Sequence, residues 1–226
     1  SHPVSVWRRP AESEGRRPVP RSARRSPLPS APMTRLLVVR HGQSEWNATG
    51  RWQGRADPPL TDEGRRQSKV AGGALGTFDA VVASPLLRAA ETATIIAERL
   101  GIGPVLTDPD LVERDVGEWQ SLTRSQIQEG WPGFLDDGRR PPGYEPGDAM
   151  LARVLSALER ISERMGDGDV LVVSHGGVVY ALEEACGEPW RRLPNLSARW
   201  FEVSGGDLSA GPRVDLVPDV TIPNLL

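Results

Sequence analysis

The chain has 226 residues, with 27 Lys+Arg against 30 Asp+Glu, a formal net charge of −3 and 38% hydrophobic residues. That composition excludes collagen, a disordered polyelectrolyte and a bare coiled coil, and no window supplies the run of about eighteen apolar residues that a membrane span needs. The single Cys186 can form no internal disulfide, so a reducing, cytoplasmic setting is the expectation.

Residues 1–32 hold seven arginines against two glutamates, together with seven prolines and no apolar periodicity. Such a stretch buries too little surface to offset its ordering entropy and is expected to be a disordered tail. No apolar segment follows the arginines, so it does not read as a secretory signal. Met33 is read as the natural start, with the preceding residues an upstream reading or an appended segment; the competing reading is a basic arm for phosphate-rich partners. Residues 33–226 are read as one domain. Their net charge of −8 offers no basic excess to attract nucleic acid.

From Met33 onward, short apolar runs alternate with helical patterns. Leu36-Leu37-Val38-Val39 is the first run, continuous enough for a strand buried on both faces. Thr61 followed by Asp62 and Glu63 marks a helix start, with acids where the helix dipole favours them. Ala80-Val81-Val82-Ala83 is the second strand, and Ser84-Pro85 reads as an N-cap with proline at the first helical position. Leu86, Ala90, Ala93, Ala97 and Leu100 then recur at helical spacing until Gly101. Val105 to Val112 is a weaker strand candidate. Residues 117–149 break the rhythm, being rich in Gly, Pro and aromatics, and read as a lid or binding loop where a substrate would be selected. Asp148 opens a further helix with Leu151, Val154, Leu155, Leu158, Ile161 and Met165 on one stripe, ended by Gly166. Val170-Leu171-Val172-Val173 is the third buried run, and Trp200 to Val203 and Arg213 to Val217 are weaker strands. Strands alternating with helices predict an α/β layered fold.

Two of the three histidines end strands in matching contexts, Leu-Val-Val-Arg-His-Gly at 37–42 and Leu-Val-Val-Ser-His-Gly at 171–176. In an open α/β sheet ligands bind beyond the carboxyl ends of the strands, so parallel pairing would bring His41 and His175 into one crevice. Arg40 precedes the first, and Arg88 sits near the start of the helix after the second run. Two arginines and two imidazoles make an electropositive, donor-rich cluster that suits a phosphoryl group. A metal site would need a third or fourth ligand, and intervening arginines repel a cation, so no metal or other cofactor is expected. Nearby positive charge should keep His41 neutral and able to attack.

Arg40-His41-Gly42-Gln43-Ser44-Glu45-Trp46-Asn47, Asp57-Pro58-Pro59-Leu60-Thr61, Ser84-Pro85-Leu86 with Arg88-Ala89, Glu113-Arg114 before Gly117-Glu118-Trp119, and Ser174-His175-Gly176-Gly177 follow one another in order. Between Thr34 and about Val203 the chain thereby resembles the histidine phosphatase superfamily, also called phosphoglycerate mutase-like. The resemblance implies a three-layer α/β/α fold with a mostly parallel central sheet and helices on both faces. It implies a nucleophilic His41 that carries the phosphoryl group, Arg40, Arg88, His175 and Asn47 holding that group, and Glu113 as general acid. Trp52, Trp119, Arg139, Arg140 and Tyr144 are the candidates for choosing the substrate, with packing or solvation as the competing role of each.

The expected function is metal-independent hydrolysis of a small phosphomonoester, without nucleic-acid or membrane partners and with a homodimer left open. A bisphosphoglycerate-dependent mutase is the alternative. Mutases of the resembling family carry a Tyr and a Lys soon after the acid, where this chain has Val116 and Arg124; the Arg139-Arg140 pair does echo their pattern. A non-catalytic binding module is the third reading, opposed by the presence of Arg40, His41, Arg88, Glu113 and His175 together.

Overall fold

The computed structural model describes residues 32–218. Residues 1–31, with His2 and nearly all of the expected tail, and residues 219–226 lie outside the described part. Six strands form one sheet in the order β3-β2-β4-β1-β5-β6: β1 Met33–Arg40, β2 Ala80–Ala83, β3 Leu106–Thr107, β4 Gly168–Ser174, β5 Ser197–Ser204 and β6 Asp207–Asp215. The pairs β1–β4, β4–β2 and β2–β3 are parallel, whereas β5 runs antiparallel to both β1 and β6. The chain belongs to the three-layer, mostly parallel α/β class expected from its alternation of elements.

Side chains along β1 alternate between two cores. Leu36 and Val38 face one that includes Val170 and Val172 of β4, Met150, Val154, Leu158 and Ile161 of helix α6 (Gly147–Met165), and Val178 and Leu182 of α7 (Gly176–Ala185). Leu37 and Val39 face the other, with Val81, Leu171 and Val173, Ala71 of α2 (Asp62–Ala74), and Ala89, Ala93 and Ile96 of α3 (Leu87–Leu100). β1 and β4 are thus apolar on both faces because helices cover both faces. Each fully buried Val or Leu contributes about 1.5–3 kcal/mol.

Three local expectations are corrected. Helix α3 begins at Leu87 with Leu86 as N-cap and no capping side chain; Ser84 lies two residues before it, its hydroxyl shared between His175 Nε2 and the Leu86 N–H. The buried stripe of α6 is Met150, Val154, Ala157, Leu158 and Ile161, while Leu155 is exposed. The segment Val105 to Val112 is extended only at Leu106–Thr107, then turns through a 3-10 helix at Pro109–Leu111.

The long excursion after Val116 is a folded subassembly. Two short helices, α4 (Arg124–Gly130) and α5 (Phe134–Asp137), lie within it, the first closed by a Thr123/Gln126 capping box. Val116, Trp119 and Ile127 form a small buried cluster, with Trp52, Leu122, Trp131, Phe134, Leu135 and Tyr144 packed against it. No helix among the described residues is long and apolar enough to cross a membrane.

Candidate active site

The site starts from strand register. Arg40 pairs with Ser174 across β1 and β4, and the His41 N–H donates to the Ser174 carbonyl at 2.9 Å. His41 and His175 therefore leave neighbouring strands at one level, with ring centroids 5.2 Å apart and planes at 64°. Ser84, at the end of β2 on the other side of β4, is hydrogen-bonded to the Val173 carbonyl and completes the row. A short helix, α1 (Glu45–Ala48), caps the turn after His41. Gly42 is required there, since a Cβ would lie 2.7 Å from the Gly64 carbonyl oxygen of α2.

Each nitrogen of His41 has a defined role. Nδ1 lies 2.7 Å from the Gly42 carbonyl, to which it donates, so the lone pair is on Nε2. Arg88 Nε donates to that Nε2 at 3.2 Å. The same guanidinium is held by the carbonyls of Ala56 and Gly54 at 2.7 and 2.9 Å, which fixes its plane. Burial, then the charges of Arg88 and Arg40, hold the His41 imidazolium well below its ordinary range. Burial also brings Arg88 down to about 10, which leaves it charged at neutral pH, and it lowers Arg40.

His175 is fully buried and likewise kept neutral by burial and then by the charge of Arg88. Its Nε2 lies 2.8 Å from Ser84 Oγ, which also accepts the Leu86 N–H at 3.3 Å. The serine hydroxyl and Nε2 thus hold one another, and Nδ1 is the ring nitrogen without a hydrogen-bond partner among the described residues. Asn47 Oδ1 is taken by Ser44 and by Asn195 Nδ2, so only its amide hydrogens remain for the cavity it lines. Asn195 also donates to the His41 carbonyl at 2.8 Å.

Glu113 follows the 3-10 turn after β3. Its carboxylate accepts the Arg114 N–H at 2.7 Å and the Gly177 N–H at 3.2 Å, the latter at the N-terminus of α7. Arg153 of α6 braces this segment by donating to the carbonyls of Asp110, Val112 and Glu113 while forking onto Glu145. Burial raises the Glu145 carboxyl, but Arg153, the Asp115 N–H and Arg55 together outweigh it and the group lies below its ordinary value.

Arg40, His41, Asn47, Arg88 and Glu113 line one cavity of about 570 Å³. Trp52, Arg140 and Tyr144 also line it, whereas His175 is fully buried and does not. Two candidates for choosing the substrate are placed elsewhere. Trp119 is fully buried at the centre of the aromatic cluster, and Arg139 is turned away, paired with Asp137 and stacked 4.1 Å from the Phe134 ring. Ser84, Arg114, Arg153 and Asn195 join the site without having been singled out for it from sequence. Among the described residues no group of three or more His, Cys, Asp or Glu is placed to hold a metal ion.

Comparison with known proteins places this geometry. The family model for the histidine phosphatase superfamily (branch 1) matches residues 36–208. The chain belongs to the histidine phosphatase superfamily. It is 35% identical over 185 residues to phosphoglycerate mutase-like protein 4 of Arabidopsis thaliana, covering 76% of this chain and 80% of that protein. Glucosyl-3-phosphoglycerate phosphatase of Mycolicibacterium vanbaalenii is 34% identical over 190 residues, covering 76% and 84%. A solved mycobacterial glucosyl-3-phosphoglycerate phosphatase superposes with a TM-score of 0.70 at 29% identity, covering 79% of this chain and 97% of that one. A bifunctional protein of Mycobacterium tuberculosis is 42% identical over 150 residues, but the match spans only 41% of its length. With phosphatases among these relatives, this histidine phosphatase is an enzyme that hydrolyses phosphate monoesters.

Proposed function

We infer that the enzyme is a metal-independent phosphomonoester hydrolase working through a phosphohistidine on His41. The observation that carries this is the committed tautomer of His41, with Nδ1–H on the Gly42 carbonyl and the Nε2 lone pair against Arg88 in a cavity shared with Glu113. Nε2 attacks phosphorus, the P–O ester bond breaks, and its electron pair leaves on the alkoxide, which takes a proton from Glu113. Water then gives a proton to Glu113 and attacks phosphorus, and the Nε2–P bond breaks to release phosphate. Arg40 and Arg88, with Asn47, supply charge and hydrogen bonds where the transferring group spreads its charge over oxygen, and His175, buried beside His41, backs the row. This clamp needs no cation in its logic.

Arg51, Arg114 and Arg140 line the same cavity, and none has a carboxylate partner among the described residues. Arg114 and Arg140 are instead set against Tyr144, at 5.7 and 5.3 Å from its ring. Charge left unneutralised on a cavity wall matches a second anionic group on the substrate. A phosphorylated hydroxy acid has such a group. The glucosyl-3-phosphoglycerate for which two relatives are named carries a carboxylate close to its phosphoester. Arg140 in the cavity is the one observation that favours the mutase alternative, but its neighbour Arg139 is committed to Asp137.

The test is phosphate release from 3-phosphoglycerate and other small phosphomonoesters with EDTA present, beside an assay for 2-phosphoglycerate primed with 2,3-bisphosphoglycerate. Release that survives chelation, and falls at least about a hundredfold in Glu113→Gln, is the expected result. Primer-dependent isomerisation with little free phosphate would assign the chain to the mutases.

A further inference from the structure

At about 570 Å³ the cavity is larger than a three-carbon phosphoacid fills, and its walls differ in chemistry. Besides the arginines, α7 and the segment after it contribute Tyr180, Glu184 and Trp190 to the lining. Trp190 is 74% exposed, and of the large apolar side chains left exposed among the described residues it alone lines this cavity. Its ring is tilted 37° to Tyr180 with centroids 6.1 Å apart, so the two make a stepped aromatic face. The position of that face is fixed relative to the phosphoryl-gripping floor. The Leu193 N–H donates to Tyr180 Oη at 2.8 Å, while the Leu193 carbonyl accepts from Arg40 at 2.6 Å. One turn beyond Tyr180 on the same helix face, the Glu184 carboxylate has no hydrogen-bond or ion-pair partner among the described residues.

We propose that Trp190, Tyr180 and Glu184 form a subsite for a neutral, hydroxylated ring, a glycosyl group carried by the phosphorylated acid. An indole face receives the C–H face of a pyranose, and a free carboxylate accepts from its hydroxyls. A nucleobase would stack as well. However, a nucleoside monophosphate has no anion besides the reacting phosphate to meet Arg114 and Arg140. A glycosylated phosphoacid answers all three walls at once: floor, arginine wall and aromatic rim.

This assignment rests on the hydrolase reading, and the experiment separates the two. Phosphate release is measured from 3-phosphoglycerate, glucosyl-3-phosphoglycerate and AMP by wild type, Trp190→Ala and Glu184→Ala. The expected result is a kcat/KM for the glucosylated ester at least about tenfold above that for the bare ester, lost mainly through KM in Trp190→Ala and more weakly in Glu184→Ala. Equal kcat/KM for the two esters in wild type, or an equal loss on both in Trp190→Ala, would overturn the subsite. AMP preferred over both phosphoacids would replace the sugar with a base. Absence of release from any ester would count against hydrolysis alone. Calorimetric binding of the same two phosphoacids to His41→Ala still reads the rim, with tighter binding of the glucosylated one supporting it and equal binding overturning it.

Discussion

At the scale of single residues, the centre of the site is set by what the far nitrogen of each imidazole touches. Gly42 commits the tautomer of His41, and Ser84 holds the ring of His175 in place. Both rings are held neutral by burial and by arginine charge, so in the free enzyme neither should titrate near the ordinary histidine range. Nitrogen-15 NMR of the imidazoles is expected to show both rings neutral at pH 6; protonation midpoints near 6.5 would contradict the electrostatic account. Gly177 is equally constrained. A Cβ there would lie 2.1 Å from Glu113 Oε1, whereas a Cβ at Gly73 meets nothing within 4 Å. Alanine is the better helix former at both positions, so neither change should unfold the protein. Gly177→Ala must push the carboxylate aside and is expected to lower kcat about a hundredfold with the thermal midpoint retained, against no loss in Gly73→Ala. Wild-type kcat in Gly177→Ala would remove Glu113 from the reacting centre.

At the scale of elements, α6 does more than cover the sheet. Through Arg153 it ties the Asp110, Val112 and Glu113 carbonyls to the Glu145 carboxylate at the end of the excursion. Arg153 and Glu145 are 14% and 10% exposed, so removing the guanidinium leaves a largely dry carboxylate with only the half-exposed Arg55 and the Asp115 N–H, at a cost of up to about 3 kcal/mol, the low end for a buried pair given some solvent screening. Arg153→Ala should lose that stability in urea unfolding and lower kcat as well, whereas Arg160→Ala, on a pair with the arginine 47% exposed, should cost under about 1 kcal/mol. Equal effects of the two changes would mean Arg153 braces nothing. What the sequence made legible follows the same division. Leu36–Val39, Ala80–Ala83 and Val170–Val173 announce strands because both faces are apolar, and two histidines ending matching runs announce the crevice. The brace of Arg153, the tether of Asn195 and the engagement of Ser84 by His175 join residues 40 to 154 positions apart and leave no local periodicity to read. The excursion looked like a loop because its core is three buried residues ringed by aromatics, too small for a pattern to emerge, although the Thr123 and Gln126 spacing of its capping box was there to be read.

At the scale of the whole molecule, the fold keeps two neutral imidazoles at the join of its parallel strands, and that has a thermodynamic consequence. The folded state depresses both histidine pKa values, so between those values and about 6.5 the unfolded chain binds more protons than the folded one. The stability contributed by this neutrality is fully present above about pH 6.5 and is lost as pH falls below it. Unfolding midpoints in urea should therefore decline from pH 7.5 to 5.5, less steeply in His175→Ala; a flat profile in wild type would refute the burial argument. The central claim, that this architecture exists to make His41 a carrier of the phosphoryl group, is tested most directly by rapid quenching during turnover of a hydrolysed ester, followed by peptide mass spectrometry. An acid-labile phosphoryl group on His41, absent from His41→Ala, is expected. Continuing phosphate release with no label, or with the label on another residue, would contradict the account.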